Sequence, residues 1–97
     1  MKYLITESQF DNVIFRYLNN QDFIQIDNRF DIFFLNSEGD EYPQIVYTKS
    51  DGSCLIFTNL IKKISYFFSL DEYDSKQVIG RWVENTLQME VNYIGPW

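Results

Sequence analysis

An Asp51-Gly52 pair between two apolar runs constrains this chain more than any other stretch. The runs are Ile45-Val46-Tyr47-Thr48 and Cys54-Leu55-Ile56-Phe57. Asp-Gly in that setting is among the strongest short-range hairpin signals, because a type I′ turn needs positive φ at both central residues. A two-residue turn there sets Ser50 opposite Ser53, Thr48 opposite Leu55, Tyr47 opposite Ile56 and Val46 opposite Phe57. A second hairpin is expected through Ser37-Glu38-Gly39-Asp40, where Gly39 accepts positive φ. It pairs Leu35 with Tyr42, Phe33 with Gln44 and Ile32 with Ile45. The resulting meander over 30–57 has two apolar faces. Phe30, Ile32, Phe34, Ile45, Tyr47, Cys54 and Ile56 share one. Phe33, Leu35, Tyr42, Val46, Leu55 and Phe57 share the other, beside Asp31, Gln44 and Thr48. Apolar side chains on both faces require a cover on both.

The flanking segments supply helices. Thr6 reads as an N-cap, with Gln9 completing a capping box, and the helix is expected over about 7–19. Phe10, Val13, Ile14, Tyr17 and Leu18 recur at helical spacing. Phe23-Ile24-Gln25-Ile26 alternates and reads as a fourth strand, turned into Phe30 by Asp27-Asn28-Arg29. After Thr58 the apolar period changes to helical, with Asn59 as a cap and Leu60, Ile61, Ile64, Phe67 and Phe68 on the stripe; continuation of the strand through Leu60-Ile61 is the alternative. A second helix over about 75–88, capped by Asp74 or Ser75, carries Val78, Ile79, Trp82, Val83 and Leu87. Gly80 within it costs about 1 kcal/mol relative to Ala, which close packing against another element would justify. Val91 to Ile94 reads as a last strand and Gly95-Pro96-Trp97 as a tail.

Chemistry is constrained mainly by what is missing. The chain has no histidine and one cysteine, Cys54. That removes the commonest general base and the commonest transition-metal ligand, and leaves a cysteine nucleophile without an activating base. The glycines never cluster into a phosphate-cradling loop. Carboxylates crowd two places, Glu38/Asp40/Glu41 and Asp71/Glu72/Asp74, without the spacing of a calcium loop. A solvated hairpin tip and an acidic helix entry favoured by the dipole account for them better than a metal site does. No catalytic, cofactor-binding or metal residue is therefore assigned. Fourteen acidic against eight basic residues, a net charge of −6, argue against nucleic acid and against an anionic membrane surface as partners. The lone cysteine and the short apolar start, too brief for a signal peptide, point to the cytoplasm.

The opening Lys2-Tyr3-Leu4-Ile5-Thr6-Glu7-Ser8-Gln9 and the later Arg81-Trp82-Val83-Glu84-Asn85-Thr86-Leu87 resemble the start and the closing helix of short uncharacterised proteins of marine tailed bacteriophages. The resemblance spans about fifteen residues. It implies a phage origin and an accessory role, in the host-cell cytoplasm or the virion, and carries no activity or site residue with it.

The expected fold is α+β in one domain over 1–97: an N-terminal helix, an antiparallel meander of three to four strands, and a C-terminal helix pair. The expected helices 7–19 and 75–88 cover the Phe30/Ile32/Ile45/Ile56 face. Segment 59–69 is too short to cover the other face alone. Phe33, Leu35, Tyr42, Val46 and Phe57 are thus the candidate interface residues, for a protein partner or a second copy of the chain. The expected function is a non-catalytic protein-interaction module. The alternative is an acidic mimic of nucleic acid that occupies a basic groove on a host protein.

Overall fold

The computed structural model describes residues 7–36 and 42–97. In chain order they form α1 (Glu7–Asn19), β1 (Ile24–Asp27), β2 (Asp31–Leu35), β3 (Ile45–Thr48), β4 (Ser53–Ile56), α2 (Thr58–Phe68), α3 (Glu72–Leu87) and β5 (Tyr93–Pro96). The class is α+β, as expected, but the sheet is mixed. Its five strands follow the order β1-β2-β3-β4-β5. The first four pair antiparallel, and β5 runs parallel to β4. A parallel neighbour needs a long crossover, and α2 with α3 provides it. The expected tail is therefore the end of a strand: Trp97 N–H donates to the Ile56 carbonyl at 3.0 Å, and Thr58 N–H donates to the Trp97 carbonyl at 3.0 Å.

Both expected hairpin registers are two residues out. Tyr47 faces Cys54 and Val46 faces Leu55, not Ile56 and Phe57. Ile32 faces Tyr47 and Phe33 faces Val46, not Ile45 and Gln44. The β3–β4 turn spans four residues, 49–52, and within it Gly52 alone has positive φ, at 72°. Gly52 N–H donates to the Thr48 carbonyl at 3.0 Å. Asp51 contributes through its side chain instead, accepting from Ser53 N–H at 2.9 Å. The longer turn meets the approach to β5: Asn92 N–H donates to the Gly52 carbonyl at 2.8 Å. A Cβ on Gly52 would stand 2.6 Å from the Asn92 side chain, so this contact and the positive φ both favour glycine. The Ser37-Glu38-Gly39-Asp40 turn and the Thr6 cap lie outside the described residues.

A slip of two residues preserves every face, because strand side chains alternate with period two. Ile32, Phe34, Ile45, Tyr47, Cys54 and Ile56 are all buried on one face, in a single cluster with helix residues Ile14, Leu18, Leu60, Ile61, Ile64, Val78, Ile79, Trp82 and Val83. All three helices thus pack on this one face, α2 included. Each fully buried aliphatic contributes roughly 1.5–3 kcal/mol. Phe30 is the exception to the expected face, at 66% exposed. Asn28 Oδ1 accepts from the N–H groups of Phe30 and Asp31 at 2.9 and 2.8 Å, which puts Phe30 in the turn rather than in β2.

Polar contacts position the helices over this core. Arg81 donates from Nε and Nη2 to the two carboxylate oxygens of Asp11 at 2.6 and 2.8 Å, joining α3 to α1 through a two-point geometry that fixes orientation. Trp82 Nε1 donates to Asn19 Oδ1 at 2.9 Å, so the indole is buried with its N–H satisfied. Its ring meets Phe34 and Phe23 at centroid distances of 5.4 and 5.7 Å. Helix α3 starts earlier than expected. Asp71, not Asp74 or Ser75, is its N-cap and accepts from Asp74 N–H at 2.7 Å. Asn59 does not cap α2; the N-cap is Phe57, with no side-chain bond. Of the expected α1 stripe, Ile14 and Leu18 are buried but Val13 is exposed.

Candidate functional site

Among the described residues no helix covers the second face of the sheet, and its side chains fall in three rows. The middle row crosses the whole sheet. Ile26 faces Phe33, Phe33 faces Val46, Val46 faces Leu55, and Leu55 faces Gly95. Phe33, Val46 and Leu55 are half-buried, and Ile26 at the edge is 47% exposed. At Gly95 the Tyr93 ring closes over the bare Cα, leaving 2.7 Å between its hydroxyl and the position a Cβ would take.

A second row, nearer the β1 N-terminus, begins with Ile24 facing Leu35. It continues through the half-buried Gln44 to Phe57, whose N–H donates to the Gln44 carbonyl at 2.8 Å, and to Trp97. The Phe57 and Trp97 rings lie 5.1 Å apart at 40°, and Tyr42 meets Trp97 at 6.1 Å and 60°. Tyr42 is 55% exposed and Trp97 is 38% exposed. The third row, at the turn end, is polar. Asp31 faces Thr48, Thr48 faces Ser53, and Ser53 faces Tyr93. Thr48 Oγ1 donates to Asp31 Oδ1 at 3.1 Å.

All five candidate interface residues from the sequence lie on this face. Phe33, Val46 and Phe57 are half-buried, and Tyr42 is exposed. Leu35 is buried, and offers a partner least. Trp97, Ile24 and Ile26 join the face without having been singled out. Gly-Pro before Trp97 reads as a breaker, yet Pro96 sits on an edge strand, where a missing N–H is tolerated. The edge position is the signal that would have found Trp97.

Charge divides between the layers. Among the described residues, the sheet-forming stretches 20–36, 42–57 and 88–97 carry Arg29 and Lys49 against Asp22, Asp27, Asp31, Asp51 and Glu90. The helical stretches, 7–19 and 58–87, carry five basic residues against six acidic. These sheet-forming stretches therefore hold a formal −3, against −1 for the helical stretches. Of the two sheet-layer cations, Lys49 is paired with Asp27 at 2.5 Å. Arg29 lies over the Phe30 ring, 5.5 Å from its centroid.

Reactive geometry does not gather elsewhere among the described residues. Cys54 is fully buried in the helix-covered face, and burial pushes its thiol up to about 12, the opposite of an activated nucleophile. The Tyr47 hydroxyl, also raised by burial, donates to the Glu90 carbonyl at 2.7 Å. Asp71 caps the helix that Glu72 and Asp74 enter, so that carboxylate cluster has a structural role. No group of three His, Cys, Asp or Glu among the described residues could hold a metal ion. An open crevice of about 280 Å³, lined by Gln77, Val91, Asn92, Tyr93 and Ile94, presents no charged side chain. No helix among the described residues is long and apolar enough to cross a membrane. No protein-family model, curated protein or solved structure matches this chain.

Proposed function

We propose that this chain is a non-catalytic protein-interaction module that receives a partner on the helix-free face of its sheet. One observation supports the reading above the others: Ile26, Phe33, Val46 and Leu55 form an apolar row across four strands, flanked by the Tyr42/Phe57/Trp97 cluster. Accessible aromatic groups such as Tyr42 and Trp97 carry much of the binding energy at protein interfaces, and the apolar row beside them supplies complementary area. The absence of histidine in the chain and the inert Cys54 thiol favour binding over catalysis. A phage accessory or virion role, in the host-cell cytoplasm or the particle, suits such a module, with a protein rather than nucleic acid or a membrane as its partner.

The test is affinity purification from the native host with three baits. The expected partner is retained by wild type and by the helix-layer variant Lys63→Glu, and lost with Tyr42→Lys. A partner lost only with Lys63→Glu would move the docking surface to the helices and contradict the proposal. The charge asymmetry favours a second reading, an acidic mimic bound in a basic groove. In that case neutralising Asp22, Asp27 and Asp51 abolishes binding, and Tyr42→Lys leaves it intact.

A further inference from the structure

Resting on that reading, we infer that the helix-free face receives one short, basic, amphipathic helix of another protein, rather than a second copy of this chain. Size is the first argument. Five strands spaced about 4.8 Å, each presenting four or five residues at about 3.3 Å, give a face of roughly 350 Å² in projection. A stable protein–protein interface buries about 800 Å² on each partner. A whole second copy would have to extend its contact beyond this face to reach that area. A helix of about 14 residues is roughly 21 Å long and 10 Å wide, which the face accommodates along the direction of its rows.

Shape is the second argument. The Phe33/Val46/Leu55 row and the Leu35/Phe57/Trp97 row stand two residues apart along the strands, roughly 7 Å. The apolar stripe of an amphipathic helix covers about 100° of its circumference, close to 9 Å on a cylinder that wide. One stripe therefore spans both rows, and a helix's polar flank falls over Asp31, Thr48 and Ser53.

Charge is the third. The described sheet-forming stretches carry a formal −3, the more acidic share of the described chain. Two copies apposed through this layer would oppose six net negative charges. A basic partner is instead attracted, with an association that weakens as salt screens it.

The experiment titrates the full chain with three synthetic 14-residue peptides: a Leu/Lys amphipathic helix, its Leu/Glu counterpart, and a Lys/Ser peptide with the charge but no apolar stripe. Amide chemical shifts and Trp97 fluorescence report binding, and sedimentation of the chain alone reports self-association. The Leu/Lys peptide is expected to shift Phe33, Val46, Leu55, Phe57 and Trp97. It should bind at least about tenfold more weakly to Tyr42→Lys and to Val46→Lys, as truncation of interface anchors typically does. The other two peptides should bind at least about tenfold more weakly to wild type. Equal binding of the Leu/Glu peptide, or of the Lys/Ser peptide, overturns the inference. So does a Leu/Lys peptide that binds the helices or nothing. Self-association of wild type that Tyr42→Lys abolishes would replace the proposed occupant with a second copy while leaving the docking surface intact. NOEs from Leu4 or Ile5 to Val46 or Leu55 would place the chain's own start on the face and contradict both readings.

Discussion

Gly80→Ala should destabilise this protein, although alanine is the better helix former. Gly80 lies inside α3, where replacing glycine with alanine gains about 1 kcal/mol of intrinsic propensity. Against that, a Cβ on Gly80 would stand 2.2 Å from Ile94 Cδ1 and 2.9 Å from Cγ1. Ile94 sits on β5, half-buried against the core, so its side chain must rotate or β5 must move outward. Overpacking of that kind costs about 1–3 kcal/mol, and the net effect is a loss of about 1 kcal/mol. The sharper expectation concerns the sign in a second background. Every close neighbour of the new Cβ belongs to Ile94 beyond its own Cβ, so Ile94→Ala removes the clash entirely. In that background Gly80→Ala should stabilise by about 1 kcal/mol, giving a coupling of about 2 kcal/mol. Urea unfolding of the four proteins, followed by Trp82 fluorescence, measures it. Stabilisation by Gly80→Ala in both backgrounds, or an equal loss in both, would refute the contact as the reason for glycine.

Two further outcomes follow from the helix cap and the buried thiol. Asp71→Ala removes the bond from Asp74 N–H and should cost about 1 kcal/mol in the same urea assay. Cys54 should resist iodoacetamide at pH 8 in the native protein and react at the rate of global unfolding. Burial raises its thiol from 9.0 to about 12, so the protonated thiol stabilises the native state below pH 9. That contribution is lost as pH rises through the interval to about 12. The melting temperature should fall across that window, and less steeply in Cys54→Ala.

The sequence showed residues by face much better than by partner. Ile45, Tyr47, Cys54 and Ile56 are buried together because their alternation survives any even slip in register. For the same reason, apolar alternation alone could not choose between Tyr47 opposite Ile56 and Tyr47 opposite Cys54. The choice fell to turn length, and the longer turn carries a hydrogen bond from Asn92, forty residues away from Gly52. The parallel pairing of β5 was hidden similarly, since it rests on contacts between Ile56, Thr58 and Trp97 that only the folded helix pair brings about. Helix α1 was legible to its bounds because its apolar period is local. Phe30 was misread because Asn28 competes for the backbone with its side chain, and alternation does not register that competition. For the candidate site, parity placed Phe33, Leu35, Tyr42, Val46 and Phe57 on one face. It could not reveal that α2 would join the other two helices, nor that Trp97 would stack on Phe57.

Adjacent residues Ile45 and Val46 point to opposite faces of β3, and lysine at each tests whether one face is core and the other surface. Ile45 is fully buried under the helices. Ile45→Lys should cost more than about 4 kcal/mol, a large share of a domain's 5–15 kcal/mol. Val46 is half-buried on the helix-free face, where a lysine stem can lie along the apolar row with its ammonium in water. Val46→Lys should cost about 1 kcal/mol and leave a folded monomer that no longer binds. Circular dichroism melts of the two variants beside wild type decide the matter. A folded Val46→Lys with an unfolded Ile45→Lys is the predicted result. An unfolded Val46→Lys would make the helix-free face part of the core and contradict its use for docking.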